Sequence, residues 1–133
     1  MDILIVILII SFLVIIHELG HYFAAIKTKT NVEEFGIGYP PRLLTLFTKK
    51  GTIFSLNAIP FGGFVRLEGE MGEEADEVKN KLRSKGKSTT NGEPFYKKSA
   101  KSRMWITLAG VIVNVMFALL AFSVVFSFIG IPT

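Results

Sequence analysis

His17, Glu18 and His21 form an H-E-x-x-H motif inside an otherwise apolar stretch. Histidines four residues apart lie on one helix face, one turn apart, so both can reach a single metal ion. The glutamate between them is placed to handle a water bound to that metal. No charged residue occurs from Ile3 to Ile16, and the first lysine after the motif is Lys27. Ionisable side chains at membrane depth are costly, on the order of 2.5–3.5 kcal/mol each near the bilayer centre. Metal-dependent hydrolysis within the membrane accounts for three of them together.

The rest of the composition shows what must position this motif. All 15 lysines and arginines fall between Lys27 and Arg103, and Asp2 and Glu18 are the only acids outside that stretch. Two apolar ends joined by a polar, basic middle read as a membrane protein with two transmembrane α-helices. The expected spans are Ile3–Ile26, with His17 nearer the loop end than the midplane, and Met104–Ile131. Lys27, Lys29, Lys97, Lys98, Lys101 and Arg103 flank the spans and put the loop in the cytoplasm with both termini outside. A cleaved signal peptide fits poorly, because Asp2 makes the leading region acidic and the apolar stretch is too long. The net charge of +4 does not indicate a nucleic-acid partner. Acids interleave with the bases, and no nucleic-acid-binding signature is present. With no cysteine in the chain, any zinc is held by nitrogen and oxygen.

The loop divides by composition. Residues 27–70 read as a small β-loop resting on or dipping into the cytoplasmic face of the bilayer. Leu43–Thr48 and Thr52–Asn57 form a hairpin about Lys49-Lys50-Gly51, Ile59–Gly63 is a turn, and Phe64–Glu68 is a third short strand. The plainer alternative is a surface hairpin that only anchors. Residues 71–103 are charged and solvated, with a short helix at Glu73–Lys85 and a flexible Ser88–Gly92 tail. The second span carries one strongly polar residue, Asn114. It serves either an interhelical hydrogen bond or an active-site or substrate contact. The expected fold class is α+β, with two spans and a small membrane-associated sheet.

Four stretches in order carry a family resemblance: HELGH at His17–His21, FGIGYPPRLL at Phe35–Leu44, IPFGGFVRLEGE at Ile59–Glu70, and Arg103 followed by AGVIVN at Ala109–Asn114. The chain resembles the N-terminal part of the bacterial site-2 protease family of intramembrane zinc metalloproteases, the regulator-of-sigma-E protease type. The resemblance implies that His17 and His21 bind Zn2+ and that Glu18 is catalytic. It also implies that the β-loop presents substrate as an extended strand, with Gly62, Gly63, Phe64 and Asn114 in substrate-binding positions. Implied substrates are single-span membrane proteins of the anti-sigma-factor or signal-peptide type, in the inner membrane. Val111 stands where many members have proline. Members continue into PDZ domains and a later span whose Asp is the third zinc ligand. The resemblance therefore marks these residues as a fragment, its site completed by a downstream segment or a partner chain. Within the chain, Glu68 and Glu70 are conceivable substitutes. A rival reading is a non-catalytic membrane module that binds helices and has an incomplete metal site.

Overall fold

The computed structural model describes residues 1–82 and 92–131. Helix α1 spans Asp2–Lys27, strand β1 Val32–Lys49, strand β2 Thr52–Leu67, helix α2 Glu73–Leu82 and helix α3 Ala100–Ile129, with a short 3-10 turn at Phe95–Lys97 before α3. Helices α1 and α3 are long and apolar enough to cross a membrane, with mean hydropathies of 2.8 and 2.5. Most of their outer surface has no cover from this chain: Ile3 is 78% exposed and Phe128 88%. Such a surface needs lipid or other apolar protein against it.

Helix α3 begins one turn before its hydropathy does. The Ser99 side chain caps it by accepting from the Ser102 amide at 3.2 Å. Lys101 and Arg103 therefore belong to the first turn, and hydropathy alone misses them. At the other end Gly130, with φ of +83°, stops the helix. The two long helices cross at small residues. A Cβ on Gly20 would lie 2.7 Å from the Ala109 carbonyl oxygen, so only glycine permits this approach.

The hairpin about Lys50-Gly51 is present, with positive φ at both residues as a two-residue turn of this kind requires. The strands are longer than the sequence reading expects. Val32–Tyr39 is the start of β1, and Phe64–Leu67 is the end of a continuous β2, not a separate strand. Ile59–Gly63 is an irregularity in β2's pairing. Glycine here allows close packing: a Cβ on Gly38 would lie 2.4 Å from the Ile59 carbonyl oxygen. Strands β1 and β2 pair antiparallel, and their halves fold over one another. Glu34 pairs with both Arg66 and Ile53, and Gly36 with both Phe64 and Ser55. Residues 34–37 therefore lie between 63–66 and 53–56, which leaves 63–67 as one outer edge and 42–49 as the other.

Glu34 fastens this layer. It is buried, accepts from Arg42 at 2.8 Å, from Arg66 at 3.2 Å and from the Ser55 hydroxyl at 2.7 Å. Replacing Glu34 by Ala leaves Ser55 and two guanidiniums without their shared acceptor. A destabilisation of about 1–3 kcal/mol is expected, tempered because both arginines are partly exposed. Faster proteolysis between residues 40 and 60 in membranes is the readout; unchanged protection would show that Glu34 does not hold the layer.

The core lies where these elements meet: Tyr22, Ala25, Val32, Phe35, Leu67, Ile106 and Ala109 are buried together. Tyr22 makes edge-on ring contacts with Phe35 at 5.7 Å and Phe54 at 5.5 Å. Beyond α2, residues 88–91 of the expected flexible Ser88–Gly92 stretch lie outside the described residues. Residues 93–98 do not follow the solvated-loop expectation. Asn31 donates its amide to Glu93 at 3.1 Å, Phe95 to Glu68 at 2.7 Å, and Lys98 Nζ to the Thr28 carbonyl at 2.6 Å. Pro94, Phe95 and Tyr96 interrupt the charge here and give this segment apolar surface to seat.

Candidate metal centre

Helix α1 brings His17 and His21 to one face, and their Nε2 atoms converge to 3.0 Å. Two imidazoles on one zinc, each at about 2.0–2.1 Å, need a separation close to this. The His21 Nδ1–H donates to the Ile106 carbonyl at 2.7 Å, which fixes the tautomer that leaves Nε2 free. On the other imidazole, His17 Nδ1 lies 3.4 Å from Asn114 Nδ2, while the buried Asn114 Oδ1 has no partner. A half-turn of the amide exchanges the two atoms. Oδ1 then accepts from His17 Nδ1–H, the orphaned oxygen is satisfied, and the second Nε2 is free as well.

Glu18 completes the group. One ligand atom from each of His17, Glu18 and His21 lies within 4.8 Å of the others. Val65, on an outer edge of the sheet, faces the same space as Glu18. Opposite the imidazoles, α3 presents Gly110: a Cβ there would lie 2.7 Å from both Nε2 atoms. The donor set of two neutral nitrogens with fixed outer bonds and one adjacent carboxylate fits zinc.

The group opens on a cleft of about 390 Å³ lined by Glu18, His21, Tyr39, Gly63, Phe64, Val65, Glu70, Phe95, Ile106 and Thr107, among others. The structure thus brings Gly63 and Phe64 to the site. Gly62 lines a neighbouring apolar groove with Ile10, Val14 and Tyr39. Neither acid considered as a third ligand joins the metal group. Glu68 accepts from Asn31 Nδ2, and Glu70 lines the cleft but lies outside the group. Among the described residues no other cluster of three metal-ligating side chains occurs.

Residues 5–132 match the family model for peptidase family M50. The chain belongs to this family. A Thermotoga maritima protein named "Putative zinc metalloprotease" is 41% identical over 87% of this chain and 21% of its own length. A Pasteurella multocida protein named "Putative zinc metalloprotease PM1991" is 36% identical over 96% of this chain and 26% of its own length. Metalloprotease MmpA of Caulobacter vibrioides is 31% identical over 88% of this chain and 31% of its own length. The chain thus spans about a fifth to a third of these relatives.

In this M50 chain, Gly110, Ile106, Phe95 and Tyr39 are the site residues that motif reading does not single out. Gly110 left a signal, a glycine one helical turn before Asn114 in an apolar span. Ile106 acts through its backbone carbonyl, which no side-chain pattern reveals.

Proposed function

We propose that this chain carries the zinc-binding half of an intramembrane protease, which hydrolyses peptide bonds in or near the transmembrane segments of membrane proteins. The observation that carries the reading is the convergence of His17 and His21 Nε2 beside Glu18, on a cleft walled by a sheet edge. His17 and His21 hold the metal, with a third ligand from outside the described residues. Zinc bound there supplies Lewis acidity to the scissile carbonyl and to the attacking water. Glu18 takes the proton from that water and passes it to the leaving amine.

A substrate helix hides its carbonyls in hydrogen bonds and must unwind before attack. Residues 63–67 offer an unpaired edge along which the unwound segment adds as a strand. Gly63 and Phe64 then contact the substrate directly. Gly62 bounds the apolar groove beside Val14, at bilayer depth. The flanking lysines and arginines support a sheet on the cytoplasmic side, with both termini outside, in the inner membrane. Exposed Leu43, Leu46, Phe47 and Phe61 seat the sheet in the interface. The expected substrates are single-span proteins of the anti-sigma-factor or signal-peptide type.

Zinc stoichiometry of the membrane-purified protein tests this reading. About one zinc per chain, lost in His17→Ala and His21→Ala together with cleavage of a single-span reporter, supports it. Metal content independent of both histidines overturns it in favour of a helix-binding module without catalysis.

Asn114 acts as a positioning residue for His17. Asn114→Ala is expected to weaken zinc binding about 10–100-fold. Asn114→Asp, whose carboxylate accepts the same bond, retains most of the affinity. Competition with a chelator reads both; equal affinity in all three proteins would remove Asn114 from the site.

A further inference from the structure

The charge at the mouth of the cleft has no role in the chemistry above. Glu70 lines the same cleft as Glu18 and His21. It also lines a second cavity of about 330 Å³ with Arg66, Leu67, Met71 and Ala75. Glu70 therefore stands where the two spaces join, at the end of the 63–67 edge. Its side chain is exposed, and its one hydrogen bond among the described residues is a long one, 3.4 Å from the Leu67 amide. It forms no ion pair with another described residue. Arg66, the other charge in the second cavity, is already engaged by Glu34 at 3.2 Å.

The level of Glu70 relative to the helices is also fixed. The Glu68 amide donates to the Asn31 carbonyl at 3.0 Å, which ties the end of β2 to the residues just past α1. Glu70 thus sits at the height where α1 leaves its apolar stretch and Lys27 and Lys29 begin. A membrane substrate oriented by its own charges carries lysine or arginine at that height.

We propose that Glu70 is a specificity-determining residue that selects substrates with a lysine or arginine on the cytoplasmic side of the scissile bond. The inference rests on the protease reading and names its substrate class. A strand added along 63–67 advances about 3.3 Å per residue. Val65 and Glu18 line the same stretch of the cleft, so a substrate side chain about two to four residues from the cut reaches Glu70. The contact lies at an open mouth, so it discriminates between substrates and adds little to overall binding.

The test uses the complete protein in liposomes and two single-span reporters that differ only in lysine or glutamate at those positions. The wild type is expected to prefer the lysine reporter about tenfold in kcat/KM. Glu70→Gln erases the preference and Glu70→Lys inverts it. The ratio of the two reporters is unaffected by a general loss of activity. A preference that survives both substitutions overturns the inference. A second readout needs no turnover: in Glu18→Gln protein, a zero-length carbodiimide joins a carboxylate to a neighbouring lysine. A crosslink between the reporter lysine and Glu70, lost in Glu70→Gln, supports the contact, and its absence from the Glu70-containing protein overturns it. A wild type that shows no Glu18-dependent cleavage of either reporter overturns the protease reading itself, whatever the crosslink shows.

Discussion

Glu18→Gln keeps its zinc and loses cleavage by at least 10²–10⁴-fold, the usual worth of a positioned general base. The two imidazoles are held without Glu18: His21 by the Ile106 carbonyl at 2.7 Å, and His17 against Asn114 at 3.4 Å. The metal contacts therefore survive the substitution. Glutamine has the size and shape of glutamate, so the side chain keeps its place in the cleft. What disappears is the ability to take a proton from water and return it to the amine. Metal analysis and reporter cleavage on one preparation separate these effects. Residual cleavage within a few-fold of wild type would move the base elsewhere, and Glu70 is the other carboxylate lining that cleft. Loss of zinc along with cleavage would make Glu18 a ligand.

The sequence carries the parts of this site that depend on local periodicity. A four-residue spacing on a helix brings His17 and His21 together whatever surrounds them, and the apolar stretch before them requires a helix. The hairpin at Lys50-Gly51 is equally local. Periodicity does not show which strand half neighbours which. Residues 34–37 pair with segments on both sides, a product of the foldback at Tyr39 and Ile59. The resemblance therefore places the substrate-presenting strand only somewhere within the β-loop of residues 27–70. In the structure 53–56 is interior, and 63–67 is the edge that borders the cleft. Glu34 is legible only as one charge in a polar stretch, because its partners Arg42, Ser55 and Arg66 come from three other segments. Residues 93–98 show the same limit. Pro94, Phe95 and Tyr96 break the charged composition there, but only the tertiary bonds to Asn31, Glu68 and Thr28 show that they are held.

Gly110→Ala abolishes zinc binding while both long helices persist. The added Cβ would sit 2.7 Å from both imidazole Nε2 atoms and 2.8 Å from His17 Cε1, closer than such atoms pack. Relief has two routes. The imidazoles can swing away, which breaks the His21 bond to Ile106 and separates the two nitrogens. Alternatively α3 can withdraw, but it is seated on α1 where Gly20 meets Ala109, and withdrawal opens the core around Ala25 and Ile106. Small-residue contacts of this kind have little slack, because the backbones already touch. Either route takes the ligands out of register, and a zinc affinity loss of at least about 100-fold is expected from misplacing them. Cleavage falls with it, in contrast to Glu18→Gln, which keeps the metal. Helix content by circular dichroism stays near wild type, since alanine favours helix over glycine. Val111→Ala, a change at the next residue on an exposed position of α3, controls for general sensitivity of the helix. Gly110→Ala protein with wild-type zinc affinity would mean that α3 does not pack on the histidine pair. The Asn114 contact to His17, one turn further along α3, would then fall as well.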